Sequence, residues 1–339
     1  MSVDLTGGLP IAREYMFAEP PKEPGMREGV NMWVWDDRGE IGFPRFAVEA
    51  LAPDWDTHEI ASTFAFPSGR VLRHWARGPK HPVAGPDGLA TVFGAGPLRF
   101  ECVEPYRRYK ASFKGWAVDT TFQALLNGAA DYPRVDLEYE IDAEMAVPPW
   151  VSGATSSEAK TLLSSSKEGD YVGGERFEQL FRAKGRIRIA GVDRTFTGGG
   201  LRIRRQGVRK LEGFWGHAWQ SGLFPSGRGF GYCAYPPRAD GKPTYNEGFL
   251  FLGDGELIPA RVVEAPWMTR FQNRGEDVSF VLESKLGRTR IEGQSALGAP
   301  VPGFPIPFCQ WTARYRWDGE EGYGMMERSN MPENVEKPR

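Results

Sequence analysis

The clearest pattern along the chain is Val135-Asp136-Leu137-Glu138-Tyr139-Glu140-Ile141-Asp142-Ala143-Glu144, where apolar and acidic residues alternate without a break. That is the period of a β-strand with one buried and one solvated face. A helix would scatter the same acids around its circumference. Trp33-Val34-Trp35 and Ile41-Gly42-Phe43 flank Asp36-Asp37-Arg38-Gly39, which predicts a hairpin and its turn. Residues 98–103 and 109–113 predict a second pair, interrupted at Pro105. Further on, Arg186-Ile187-Arg188-Ile189, Leu201-Arg202-Ile203, residues 278–282 and Arg290-Ile291-Glu292 are short alternating runs set between glycines. Cys309, Trp311, Ala313, Tyr315 and Trp317 alternate with Gln310, Thr312, Arg314 and Arg316, which predicts a closing strand. From Gly322 the alternation is lost, and residues 331–339 are expected to form a frayed tail.

Many short strands between glycine-rich and polar turns predict an all-β chain, with an antiparallel barrel or sandwich in each half. The 339 residues suit two domains rather than one core. Ser152-Gly153-Ala154-Thr155-Ser156-Ser157 and Ser164-Ser165-Ser166-Lys167-Glu168-Gly169 have the composition of a flexible connection or long surface loop. The boundary is therefore placed near residue 170, giving domains at 1–170 and 171–330. With 42 Gly and 27 Pro the chain is punctuated too often for long helices, and its 11 Trp favour pleated, half-buried surfaces.

Composition then removes several functional classes. No apolar stretch is long enough for a membrane-spanning helix. The segment MSVDLTGGLPIAREY lacks the basic and apolar regions of a secretory leader, so a cytoplasmic location is expected. Cys102, Cys233 and Cys309 are odd in number and far apart, which suits free thiols rather than a disulfide framework or zinc cluster. A net charge of −2 gives no reason to expect nucleic acid. Arg202, Arg204, Arg205, Arg209 and Lys210 are the one basic concentration, and strand geometry would divide them between two faces of a solvated sheet. Phosphate-loop, zinc-helix and nucleophile-elbow motifs are missing, and Gly198-Gly199-Gly200 is expected to be a turn. His58, His74, His81 and His217 show no metal-ligand spacing, so neither metal nor cofactor is proposed.

Two segments concentrate chemistry. In Gly213-Phe214-Trp215-Gly216-His217-Ala218-Trp219-Gln220, a strand would place His217 and Trp219 on one face with Trp215 in line. Such a histidine can exchange a proton while the indoles shape an apolar pocket or stabilise a cation. The plainer reading makes His217 a satisfied interior histidine and the tryptophans core. Tyr245-Asn246-Glu247 likewise puts Tyr245 and Glu247 on one face. Turned into an apolar cavity, Glu247 would be an acid with a raised pKa; at the surface it would be an ordinary strand-end glutamate.

Arg176-Phe177-Glu178-Gln179, Gly185-Arg186-Ile187-Arg188-Ile189-Ala190-Gly191, His217-Ala218-Trp219 and Gly322-Tyr323-Gly324-Met325-Met326-Glu327 follow in a recognisable order. In these motifs the chain resembles the lipocalin-like superfamily of AttH-type proteins and carotenoid 1,2-hydratases. Within it, the likeness is to a bacterial branch carrying an Asp-His-Ser-Trp-Gly-type motif. Trp33 to Phe46 and Glu104-Pro105 to Gly115 extend the likeness into the first half. The resemblance implies two lipocalin-like β domains packed together, with an apolar ligand site near their junction. It also implies hydration of an alkene through a His-x-Trp pair, matched here by His217 and Trp219, and a downstream Tyr-x-acid pair, matched by Tyr245 and Glu247. In that scheme Glu247 protonates the double bond with Tyr245 orienting it. Trp219 and Trp215 stabilise the cation, and His217 deprotonates the attacking water. The sequence departs from the branch at Gly216 in place of an acid, at Ala218 in place of serine, and at Gln220-Ser221 in place of glycine and arginine.

The expectation is thus a cofactor-free hydratase or dehydratase-like lyase acting on an apolar, isoprenoid or steroid-like molecule. Its rivals are a carrier of such a molecule and a purely structural domain. An enclosed cavity holding His217 and a carboxylate would favour the enzyme.

Overall fold

Alternation becomes architecture most directly at residues Arg134–Met145, a strand in which Leu137, Tyr139, Ile141, Ala143 and Met145 are buried and the acids between them are not. The computed structural model describes residues 3–128, 132–172 and 174–336. Its first strands are β1 (Met26–Asp36), β2 (Gly42–Leu51), β3 (Thr57–Ala65) and β4 (Arg70–Pro79). Next come β5 (Val92–Ala95), β6 (Leu98–Glu104), β7 (Arg108–Thr121), helix α1 (Phe122–Leu126) and β8 (Arg134–Met145). After the short β9 (Trp150–Val151), helices α2 (Ser157–Ser165) and α3 (Glu168–Val172) lead into β10 (Glu175–Ile189) and β11 (Val192–Val208).

The strands lie in the order β4-β3-β2-β1-β11-β10-β8-β7, and β4 pairs with β7 to close an antiparallel barrel of eight. This barrel needs β10 and β11, which pair with β8 and β1. A boundary near residue 170 therefore cuts through the first barrel, and the chain passes to the second at residues 209–215. The serine-rich segment is no linker between halves. It is an excursion within the first barrel, and Ser156 caps α2 by accepting from the Ala159 amide at 3.3 Å.

The second barrel runs in sequence order through β12 (Gly216–Leu223), β13 (Gly229–Ala234), β14 (Asn246–Phe251) and β15 (Ile258–Glu264). It continues with β16 (Phe280–Ser284), β17 (Gly287–Pro300), β18 (Phe308–Trp317) and β19 (Glu320–Asn330), and β12–β19 pairing closes it. The closing strand is thus β19, where no pattern was legible. Residues after Asn330 are held as well: Val335 is buried and the Glu336 amide donates to the Thr269 carbonyl at 2.8 Å. Residues 337–339 lie outside the described residues.

Both interiors are filled. Phe43, Phe46, Phe64, Phe113 and Tyr139 pack ring to ring in the first barrel, as do Phe230, Tyr232, Phe280 and Tyr315 in the second. A third apolar cluster, including Trp33, Trp35, Leu201, Ile203, Trp219 and Phe249, joins the outer faces of the two barrels. Gly198, Gly199 and Gly200 lie within strand β11, not in a turn. A Cβ on Gly199 would lie 2.8 Å from the Trp35 indole nitrogen, and one on Gly200 would lie 2.2 Å from the Phe181 ring. Among the described residues no helix is long and apolar enough to cross a membrane.

The basic concentration is not a solvated surface. Arg202 and Arg204 point into the first barrel and are fully buried. Arg202 makes a bidentate pair with Glu14 at 2.7 and 2.8 Å, and Arg204 reaches Glu28 at 2.5 Å. Glu14 closes a short 3-10 helix (Ile11–Glu14) and also accepts from the Tyr109 hydroxyl and the Tyr106 amide, which pins the amino-terminal segment to the barrel. Burial pushes the Glu14 carboxyl up, but the charge and hydrogen bonds of Arg202 override it and hold it below the usual 4.5. Its stabilising contribution is therefore complete above 4.5 and fades as pH falls through the lower, folded value. Glu14→Gln is expected to cost roughly 3–5 kcal/mol near neutral pH, because it leaves Arg202 buried without its counter-charge. Urea unfolding across pH checks this: the gap between native and variant should narrow below pH 4.5.

Candidate functional site

Strand alternation places the site. On β12, Ala218 and Gln220 face the second barrel's interior, where Gln220 bonds Tyr232 and Tyr315. His217 and Trp219 consequently face outward, toward the first barrel, as the expected common face requires. Cross-strand pairing sets Gln310, Glu327, Trp219, Cys233 and Glu247 in one row across β18, β19, β12, β13 and β14. The neighbouring row carries Phe308, Ser329 and His217.

Opposite these rows stands the outer face of the first barrel. The pairs Ile203–Asn31, Asn31–Ala47 and Ala47–Ala61 form one row across β11, β1, β2 and β3. Arg205, Gly29, Glu49 and Glu59 form the next. Between the two faces lies a cavity of about 280 Å³, whose wall includes all of these residues except Gly29, Ser329 and Glu247, together with Phe214, Tyr235 and Phe304. The cavity is therefore between the barrels, not in either lumen.

Two indoles cross the seam in opposite directions. Trp33 of the first barrel donates to Glu327 of the second at 3.1 Å, and Trp219 of the second donates to Glu178 of the first at 3.0 Å. The two rings meet edge to face with centroids 4.9 Å apart. Glu178 also pairs with Arg176, whose guanidinium lies 4.9 Å from the centre of the Trp219 ring. Burial pushes the Glu178 carboxyl up despite that partner.

His217 is nearly buried, at 9% exposure, between Phe214 and Phe308 with ring centroids 5.6 Å away on each side. Its Nδ1 pairs with Ser329 Oγ at 2.6 Å, which sets the ring so that Nε2 faces Glu327 Oε2 at 3.6 Å. The other Glu327 oxygen is taken by Trp33 and by Gln310. One oxygen of the carboxylate is thus fixed and the other is turned to the histidine. Gly216 holds φ +133°, and a Cβ there would lie 2.6 Å from the Ser329 carbonyl oxygen. An acid in its place would displace the strand that carries Ser329.

Tyr245 and Glu247 are not part of this wall. Both are buried and share a face, as expected, but Cys233 separates Glu247 from Trp219 in the cross-strand row. Glu247 accepts from the Tyr245 hydroxyl at 2.7 Å, from the Gly153 and Thr155 amides at 2.6 and 2.8 Å, and from the Thr155 hydroxyl at 2.6 Å. It is a satisfied anchor for the loop after β9 rather than a carboxyl turned into the cavity. Trp215 precedes β12, donates to the Pro236 carbonyl at 3.0 Å and packs on Tyr171 and Tyr235, out of line with His217. Cys233 is on the wall, where burial pushes its thiol up to about 12, so it is no nucleophile there. Among the described residues, no three His, Cys, Asp or Glu side chains are grouped to hold a metal ion.

Glu327, Gln310 and Trp33 are among the wall residues to which no role was assigned from sequence. Glu327 ends the Gly322–Glu327 motif, and Gln310 sits on what reads as the wet face of the closing strand. A long-range pairing between strand faces has no local signal.

Searches among known proteins agree with this architecture. A protein of Nitrosomonas europaea described as AttH aligns over 93% of this chain and 98% of its own, with TM-score 0.56 and 13% identity. CghA aligns over 91% of this chain and 89% of its own, with TM-score 0.53 and 10% identity. At such identities the likeness is one of fold, that of AttH-type lipocalin-like proteins, as the motifs implied. No curated protein matches the chain. The model of a domain of unknown function, DUF7064, matches residues 12–332, and the chain belongs to that family.

Proposed function

We propose that the chain is a cofactor-independent lyase of hydratase or dehydratase type, acting on a carbon–carbon double bond of an apolar small molecule held between the barrels. The observation that carries this is the pairing of His217 with Glu327 beside aromatic side chains, on the wall of a cavity between the two barrels. Two titratable groups 3.6 Å apart, each oriented by a further hydrogen bond, can trade a proton with a molecule lying against them. One member delivers a proton to the double bond. Phe214 and Phe308 line the cavity beside His217, where aromatic rings can stabilise a developing cation. The other member accepts the proton of the attacking water, and dehydration follows the reverse path. Trp219, with Arg176 over its ring, shapes the pocket and holds the seam, and Glu327 takes the acid role that the family resemblance had implied for Glu247.

The test is incubation with a panel of isoprenoid and steroidal alkenes in heavy-oxygen water, with products followed by mass spectrometry. Label is expected in the product, and His217→Ala and Glu327→Gln should each lower its rate of appearance about 10²- to 10⁴-fold. Ligand recovered bound but unaltered would instead make the chain a carrier. Glu247→Gln is expected to leave turnover within about twofold while lowering stability by roughly 1–3 kcal/mol, since an amide cannot accept all four of the bonds made by the carboxylate. Chemical denaturation read beside the turnover assay separates the two effects.

A further inference from the structure

The cavity has a second pole. Arg205 is only 5% exposed, yet no acceptor among the described residues takes a hydrogen bond from its guanidinium, and no carboxylate forms an ion pair with it. Its neighbours on the same strand differ sharply: Arg202 and Arg204, facing the barrel interior, each have a glutamate. Arg205 faces the cavity instead, with Gly29 directly opposite on β1 and Arg176 directly opposite on β10. Gly29 has no side chain, and its neighbours close over it: a Cβ there would lie 3.3 Å from the Asn31 side-chain nitrogen and 3.4 Å from the Glu49 side chain. Arg209 joins the same wall, and its Nε donates only to the Tyr171 carbonyl at 2.9 Å. The carboxylates nearby have other partners: Glu49 is shared by Arg45 at 2.6 Å and Arg27 at 3.4 Å, Glu178 pairs with Arg176, and Glu59 pairs with Arg77 at 3.5 Å.

We propose that this end of the cavity is an anion subsite, in which Arg205 with Arg209 takes the carboxylate or phosphate of an amphipathic ligand whose apolar body lies along the aromatic wall toward His217. The inference rests on the reading of the cavity as a small-molecule site. A desolvated guanidinium that no carboxylate meets with a hydrogen bond is costly, and an arginine's planar donors fit a carboxylate or phosphate oxygen pair. Burial and the neighbouring Arg209 and Arg176 hold the Arg205 guanidinium well below its ordinary value, so the wall carries concentrated positive potential. Glu49, buried among the same arginines, is held down to about 2 and so stays charged. The geometry also sets a length. Arg205 and Leu201, whose row contains Trp33, are four residues apart on β11, about 13 Å of strand. Side chains reach inward from both ends of that span.

Binding measured by tryptophan fluorescence and calorimetry tests this with geranic acid, geranyl phosphate and geraniol, which share one isoprenoid chain. The acid or the phosphate is expected to bind at least about tenfold tighter than the alcohol, and their ratio says which anion the subsite prefers. Arg205→Met should abolish that preference while leaving geraniol within about twofold. The same variant should unfold no earlier than the native protein when free of ligand, since it removes a buried charge whose donors meet no acceptor; a structural arginine would give a lower Tm. Arg205→Lys should keep part of the preference. Equal binding of the acids and the alcohol, or equal weakening of all of them by Arg205→Met, overturns the subsite and leaves the cavity reading standing. Failure of all probes to bind overturns both.

Discussion

Everything at the seam depends on two indole hydrogen bonds that cross it in opposite senses. Each buried carboxylate, Glu178 on one barrel and Glu327 on the other, receives a donor from the partner barrel's tryptophan. Removing the Trp219 donor would leave a Glu178 oxygen out of water and unsatisfied, a cost of roughly 1–3 kcal/mol beyond the lost ring contact, whereas the Glu327 oxygen would keep only Gln310. The arrangement couples stability to the site. Trp33 belongs to the first barrel, yet it fixes the oxygen of Glu327 that does not face His217. The His217–Glu327 pair on the second barrel is thus oriented in part by a residue 294 positions from Glu327 in sequence, and only when the barrels are docked. Glu247 ties the same seam through the loop at Gly153 and Thr155, so three carboxylates cross it, each satisfied from the other side.

What could be read from sequence follows from how many faces a strand buries. Strand β8 has one wet face, and its alternation is complete. Strand β19 is buried on both faces from Gly324 to Asn330, against its own barrel and against the seam, so its residues show no period and the closing strand was assigned one strand too early. The first barrel's boundary failed for a related reason. Serines at 152–166 have the composition of a linker, but composition does not register that Ser156 caps a helix or that a glutamate 92 residues away holds the Thr155 amide. Arg202 looked solvated because its partner, Glu14, is 188 residues distant.

At the site, local period was enough for the shared face of His217 and Trp219 and for that of Tyr245 and Glu247. It could not say that Cys233 would stand between the two pairs, because strand order within a barrel is a long-range property. It also could not separate a wet face from a face packed against a second domain. Gln310 and Arg205 both alternate as if exposed, and both line the cavity. The sequence pattern predicts which side chains share a side of a sheet; the docked barrel decides whether that side meets water.

The pairing of β1 with β11 has a consequence for how the molecule comes into being. Met26 is matched to Val208, so the amino-terminal strand of the first barrel waits for its neighbour until most of that barrel has been synthesised. Each strand of the second barrel except the closing pair meets its neighbour next in the chain. Contacts so distant in sequence form slowly, and the waiting edges of β1 and β8 are open templates for pairing with other chains. A fragment ended near residue 170 would keep both edges open permanently. The natural unit of expression for the first barrel therefore runs at least to Val208, and even then its seam-facing tryptophans would lie bare to solvent.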